Sequence, residues 1–85
     1  MPILDFANSI AITTAGITAP SNGAVIGGMQ STSATNCTAD GKVIADIAGN
    51  TRQPVCVHFI SAGTILKLSG AIGSELNFVP YKTNI

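Results

Sequence analysis

Residues that favour β-strands dominate this sequence. Ile, Val and Thr, whose branched side chains suit a pleated surface, occupy 25 of the 85 positions, whereas the helix formers Glu, Lys, Gln, Arg and Leu are scarce. Apolar residues do not recur at helical spacing between helix caps, and alternation with a period of two is easier to find. The sequence therefore predicts an all-β fold.

Two turns divide the centre of the chain into predicted strands. Asp40-Gly41 is a pair whose positive φ angles suit a two-residue hairpin, and Ser61-Ala62-Gly63 fits a three-residue hairpin with its glycine in the left-handed conformation. The strands that these turns would join are residues 33–39 with 42–47, and residues 55–60 with 64–68.

Weaker strand candidates complete the pattern. They are residues 9–14, 24–30 and 76–81, and the intervening surface loops are expected at residues 49–54 and 69–74. The total of six to seven short antiparallel strands predicts a small single-domain sandwich or barrel over residues 1–85. Residues 1–7 and 82–85 flank this body as candidate extended arms.

The chain is poor in charge. Apolar residues make up 46% of it and charged residues 9%, and four basic residues balance four acidic ones. No Asp, Glu, Lys, Arg or His occurs from Phe6 to Ala39. Charge keeps proteins apart because water solvates it and like molecules repel, so its scarcity favours self-association. We expect a homo-oligomer, either a trimer or a form bound to a lattice.

This charge distribution also excludes several classes of partner. Lys42, Arg52, Lys67 and Lys82 are scattered singly, without the basic stripe of a nucleic-acid-binding protein. Thr, Gly and Pro interrupt the charge-free part too densely for a transmembrane helix. No basic residue precedes Lys42, so the positively charged start of a secretory signal is missing and we expect assembly in the cytoplasm. The predicted partners include neither nucleic acid nor membrane.

Partner contacts are predicted in the charge-free N-terminal part. Covering neutral Thr, Ser, Asn and Ile surface removes less strongly held water than covering Lys or Asp, which favours residues 2–30 as the interface. The apolar residues that we expect to contact a partner are Ile3, Leu4, Phe6, Ile10 and Ile12. An extended N-terminal arm would become ordered only when it docks on a neighbouring subunit.

The sequence offers few residues for catalysis. His58 is the single histidine, and alternation places it on the same strand face as Cys56. The opposite face of that strand carries Val55, Val57 and Phe59. A thiol beside an imidazole can act as a nucleophile or as half of a metal site. No further ligand cluster accompanies the pair, so we favour a packed cysteine and a hydrogen-bonded or solvent-facing histidine.

The two cysteines leave two alternatives. Cys37 and Cys56 could form a disulfide that closes a loop of about 20 residues, or they could stay free thiols, as is usual in a chain without an export signal. We favour free thiols. The acidic residues occur singly, so the paired carboxylates of a hydrolase are missing. We predict no catalytic residue, no cofactor and no bound metal.

Residues 54–64, PVCVHFISAGT, read as a strand that begins at a proline and ends in a Gly-Thr turn. In this segment the chain resembles small virion structural proteins of tailed bacteriophages, of the head decoration, cement or spike-base type. The resemblance implies a non-catalytic subunit of the virion, present in many copies, that packs on a major capsid protein or another structural protein and stabilises the lattice. The alternatives are a subunit of a filament or surface layer, or a small binding module.

Overall fold

The chain forms a β-sandwich. The computed structural model describes residues 3–73 and 75–82, and these form one short 3-10 helix and two antiparallel sheets of four strands each. The elements are the helix Phe6–Asn8 and the strands β1 Ile10–Ala11, β2 Ile17–Thr18, β3 Gly23–Ser31, β4 Thr35–Ala39, β5 Lys42–Ile47, β6 Thr51–Ile60, β7 Ile65–Leu68 and β8 Leu76–Pro80. The all-β prediction is confirmed, with eight strands in place of six to seven. The strand that the sequence did not predict is β2.

The chain passes repeatedly from one sheet to the other. The first sheet has the strand order β1-β8-β3-β6 and the second has the order β2-β7-β4-β5. Of the connections between these eight strands, only the one from β4 to β5 stays within a sheet. Neighbours in the sequence are therefore rarely neighbours in a sheet.

The core lies between the two sheets. Phe78 of β8 and Met29 of β3 are fully buried in the first sheet, and they belong to one apolar cluster with Leu66 and Leu68 of β7 in the second. Close packing of such large side chains from facing sheets is what holds a sandwich together. Residues available to a partner lie on the outer faces, on the free strand edges and at the two ends.

The Asp40-Gly41 turn forms as predicted. Asp40 has φ 50° and Gly41 has φ 84°, and they connect β4 to β5 as a two-residue hairpin. Asp40 also holds the neighbouring strand, because its Oδ1 accepts the Ile65 N–H at 2.8 Å. The turn therefore fixes three strands of the second sheet.

The prediction of a second hairpin at Ser61-Ala62-Gly63 is wrong. Gly63 has the expected positive φ, 89°, but β6 belongs to the first sheet and β7 to the second. The Gly63 N–H donates to the carbonyl of Ala19 at 2.8 Å, so the turn is bonded to the segment that precedes β3. A glycine in the left-handed conformation predicts a tight turn. It does not predict that the two strands flanking the turn pair with each other, because that depends on contacts with distant parts of the chain.

The predicted loop 49–54 is also corrected. Its last four residues begin β6 and pair with Gly28–Ser31 of β3. Pro54 is tolerated there because β6 is an edge strand. Pro54 lies opposite Gly28, and the Gly28 N–H points away from β6 and donates to the Glu75 carbonyl at 3.1 Å. At such a position the two strands do not exchange N–H bonds. The β3–β6 ladder therefore loses no hydrogen bond because proline has no N–H.

A buried glycine lets the first sheet close tightly. A Cβ on Gly23 would meet the carbonyl oxygen of Val79 and come within 2.8 Å of Cα of Pro80. We expect Gly23→Ala to lower the free energy of unfolding by about 3 kcal/mol, because backbone cannot move aside as a flexible side chain can. Gly41→Ala is the matched control: a Cβ there meets nothing within 4 Å, and only the positive φ costs about 1 kcal/mol. Urea denaturation measures both, and equal losses would contradict the steric explanation.

Candidate functional site

The N-terminal segment was expected to dock on a neighbouring subunit, but in the structure its backbone is hydrogen-bonded to the C-terminal part of the same chain. The Lys82 N–H donates to the carbonyl of Ile3 at 2.8 Å, the Asp5 N–H donates to that of Pro80 at 2.9 Å, and Leu4 forms a β-bridge with Tyr81. Of the predicted arms, Met1, Pro2 and residues 83–85 lie outside the described residues. The described part of the N-terminal arm thus extends its own first sheet beside β8.

The five predicted interface residues fall into two groups. Ile3, Phe6 and Ile10 are exposed, and Leu4 is half-buried. Ile12 is only 5% exposed and belongs to the core, and its N–H donates to the Leu76 carbonyl at 2.9 Å. The expectation that Ile12 contacts a partner is corrected for that reason, since a side chain buried between the sheets offers a partner no surface. The other four lie together along one edge of the first sheet.

The two cysteines occupy opposite environments and both are free thiols. Cys37 is buried in the core, and this burial raises the pKa of its thiol from 9.0 to about 11, with a smaller opposing effect from a hydrogen bond to the backbone of Lys67. Cys56 is exposed on β6, two residues from His58. Among the described residues, no group of three or more His, Cys, Asp or Glu side chains is arranged to hold a metal ion.

The difference in burial predicts a large difference in thiol reactivity. At pH 8 we expect iodoacetamide to modify Cys56 and to leave Cys37 unmodified, because the attacking species is the thiolate and a pKa of about 11 makes it rare. Mass spectrometry of the native chain should find one modified thiol, and the urea-unfolded chain should show two. Equal labelling of both thiols in the native chain would contradict this assignment.

A feature that the sequence pattern did not predict lies at the end of β6. Gly23 and Val25 of β3 oppose Ile60 and Val57 of β6, so β6 has one more residue than β3 in this interval. Such a bulge shifts the alternation of side chains by one position. Phe59 was predicted on the same face as Val57, which is partly buried, but it projects outward and is 76% exposed.

The backbone of Phe59 is strained. Its φ is 65°, in the left-handed region that a bulky aromatic residue rarely adopts. This conformation costs on the order of 1–3 kcal/mol and persists only when the surrounding structure enforces it. The exposed phenyl ring gains no hydrophobic stabilisation within the isolated chain that would compensate for this strain. Strain of this kind is most often found at sites of function.

Tyr81 holds this strained residue in place. Its hydroxyl oxygen accepts the Phe59 N–H at 2.9 Å and lies 2.9 Å from Nδ1 of His58. The hydroxyl satisfies both contacts when the imidazole carries its proton on Nε2, since the oxygen accepts from the backbone and the hydrogen is donated to Nδ1. The rings of His58 and Tyr81 are nearly parallel with centroids 6.0 Å apart, and those of Phe59 and Tyr81 are tilted at 6.3 Å. We call these three residues the aromatic cluster.

The surroundings of the aromatic cluster carry little charge. A shallow cleft of about 210 Å³ beside it is lined by Asn22, Phe59, Ile60, Ser61 and Tyr81, none of which has a formal charge at neutral pH. Asn22 fixes the adjoining turn, because its Oδ1 accepts the Ala62 N–H at 2.9 Å. An exposed aromatic ring thus lies beside a neutral depression.

Comparison of the chain with protein-family models, with curated proteins and with solved structures gave no match. None of the described residues belongs to a helix long and apolar enough to cross a membrane.

The Tyr81 hydroxyl is expected to be the chief restraint on Phe59. Tyr81→Phe keeps the ring and removes the acceptor, so we expect a loss of about 1–2 kcal/mol in stability and faster hydrogen exchange of the Phe59 amide. Thr38→Val is the control, since the Thr38 hydroxyl makes a long bond of 3.4 Å to the Lys67 carbonyl at an exposed position. NMR-detected exchange distinguishes the two variants. Unchanged exchange of the Phe59 amide in Tyr81→Phe would show that the hydroxyl does not hold this backbone.

Proposed function

We propose that this chain is a non-catalytic structural subunit that packs on the surface of a larger protein assembly through the aromatic cluster. The observation that supports the proposal is Phe59: its side chain is 76% exposed, its φ is 65°, and its backbone N–H donates to the Tyr81 hydroxyl. A residue that weakens the isolated fold is retained most easily when it is stabilised by contact with a partner.

The physical properties of the aromatic cluster suit a protein interface. Aromatic side chains bury a large area and lose little rotational freedom, so they are frequent among the residues that dominate binding energy. Because the backbone of Phe59 is already fixed, docking of its ring costs little backbone entropy. The neutral residues around it give up weakly held water, whereas a charged surface would resist being covered.

The expectation of a bacteriophage capsid decoration or cement protein rests on the sequence resemblance in residues 54–64. The aromatic cluster overlaps that segment, because His58 and Phe59 belong to it. A small β-sandwich with few charged residues and no net charge is also compatible with a subunit that binds many times to a lattice. A subunit of a filament or surface layer is the second candidate, since neutral surface and exposed apolar side chains equally favour repeated self-contact.

Copy number separates these two candidates. In purified virions, a decoration protein is expected at an abundance comparable to that of the major capsid protein. A filament or surface-layer subunit is expected instead as the main component of a preparation of filaments or sheets. Quantitative gel analysis of such preparations measures both, and absence from all of them would contradict the assembly role.

Replacing Phe59 tests its role, because we expect stability to be kept or raised while association becomes weaker. Phe59→Asn is expected to leave the free energy of unfolding unchanged or to raise it by up to about 1 kcal/mol, because asparagine tolerates the left-handed conformation. Association should weaken at least about tenfold, as expected for losing a central aromatic contact. Sedimentation velocity over a range of concentrations measures self-association, and pelleting with purified particles measures binding to a lattice.

A matched variant on the other sheet controls for loss of apolar surface. Ile65→Thr removes exposed apolar area from β7, which belongs to the second sheet, whereas Phe59 belongs to the first. It is expected to leave association within about twofold of the unmodified chain. If Phe59→Asn associates as well as Ile65→Thr does, or if the unmodified chain stays a monomer and binds no particle, the proposed role of the aromatic cluster is wrong.

A further inference from the structure

A second cleft lies at the opposite end of β6 from the aromatic cluster. Its volume is about 560 Å³, within the range of about 300–1,000 Å³ that is typical of small-ligand sites. The residues that matter for its chemistry are Gln30, Ser31, Asn50, Thr51, Arg52 and Ile72. These come from β3, from the start of β6 with the residue before it, and from the loop before β8.

Backbone hydrogen bonds fix the walls of this cleft. The Gly73 N–H donates to the Gln30 carbonyl at 2.6 Å, and the Asn50 N–H donates to the Ser31 carbonyl at 2.9 Å. The Ser31 hydroxyl donates to the Ala71 carbonyl at 3.3 Å. Because the three segments are bonded to one another through β3, a ligand would bind to a cleft that already exists.

Arg52 determines the charge of the cleft. It is the one charged residue among the described residues that line it, and it forms no ion pair with another described residue. In the β3–β6 ladder Arg52 pairs with Gln30, so their side chains lie on the same face of the sheet. A guanidinium presents a planar fork of donors that matches the two oxygens of a carboxylate.

The other lining residues favour a ligand that also carries hydroxyl groups. The amides of Gln30 and Asn50 can donate and accept hydrogen bonds, and the Thr51 hydroxyl, which donates to the Ala48 carbonyl, can still accept one. Ile72 adds an apolar surface suited to the C–H face of a sugar ring. One guanidinium balances one carboxylate, whereas a phosphate monoester carries close to two negative charges at neutral pH and would call for a second cation.

We propose that this cleft binds a small hydroxylated carboxylate of the sugar-acid class, with the carboxylate on Arg52 and the hydroxyl groups on Gln30 and Asn50. The site lies at the other end of β6 from the aromatic cluster and does not depend on the proposed assembly role. Arg52 is exposed, so solvent and salt screen its charge and the affinity is expected to be modest.

Titration of the isotope-labelled full chain, followed by NMR, tests this site. Glucuronate is the probe, glucose tests the need for the carboxylate, and acetate tests the need for the hydroxylated ring. We expect saturable shifts with glucuronate at the amides of residues 30–32, 50–52 and 71–73, and affinity at least about tenfold lower for glucose and for acetate. Raising the salt concentration should weaken glucuronate binding.

Three variants test whether glucuronate binding depends on the positive charge at position 52. Arg52→Gln should lower the affinity for glucuronate at least about tenfold, and Arg52→Lys should give an intermediate loss because it keeps the charge but not the fork. Lys42→Gln removes the same charge from β5 and should change the affinity less than about twofold. The spectrum of each variant also reports whether it is folded.

Several outcomes would overturn the proposal. Glucose or acetate could bind as tightly as glucuronate, or Lys42→Gln could lose as much affinity as Arg52→Gln. The chemical shift changes could also map outside the cleft. Finally, the titration could fail to saturate below about 50 mM glucuronate, which would mean that binding is too weak to be specific. None of these measurements depends on association of the chain, so failure of this site and failure of the assembly role are distinguishable.

Discussion

The register between β3 and β6 is the constraint on which the candidate sites depend. This ladder runs along nearly the whole of both strands, from Gly23 opposite Ile60 to Ser31 opposite Thr51. At one end it places Arg52 beside Gln30, and at the other the extra residue of β6 turns Phe59 outward. A shift of the pairing by one residue would exchange the two faces of β6. Both surface features would then be lost together with the core positions of the strand.

Local signals in the sequence predicted local structure well. The Asp40-Gly41 hairpin and the strand Lys42–Ile47 were predicted with the boundaries that they have in the structure, because a two-residue turn specifies both conformation and partner. The turn at Gly63 was predicted in conformation but not in partner, since pairing across sheets depends on distant parts of the chain. The strand β2 has only two residues, and a pattern with a period of two is not detectable over so short a length.

The candidate site was only partly predictable for the same kind of reason. Ile3, Phe6 and Ile10 are exposed, because apolar residues in a segment flanking the sheets have little core to enter, and their contact with a partner stays a prediction. Ile12 was misplaced, since the charge-free pattern cannot show where the chain turns into the space between the sheets. Phe59 was assigned to the same face as Val55 and Val57, because a bulge breaks alternation without a sequence signal and the residues usual at positive φ, Gly and Asn, are absent from that position.

The strand order has a consequence for how the chain reaches this structure. β8, the strand nearest the C-terminus among the described residues, lies in the interior of the first sheet between β1 and β3. Until it has been synthesised, β3 has an unpaired edge and its core side chains lack the cover of Phe78. Folding of the first sheet must therefore wait for the C-terminal part of the chain, as in other folds dominated by contacts between distant residues. A nascent or truncated chain that lacks β8 would leave the apolar strand β3 exposed to other chains. Aggregation competes most strongly with folding while such a strand is unpaired.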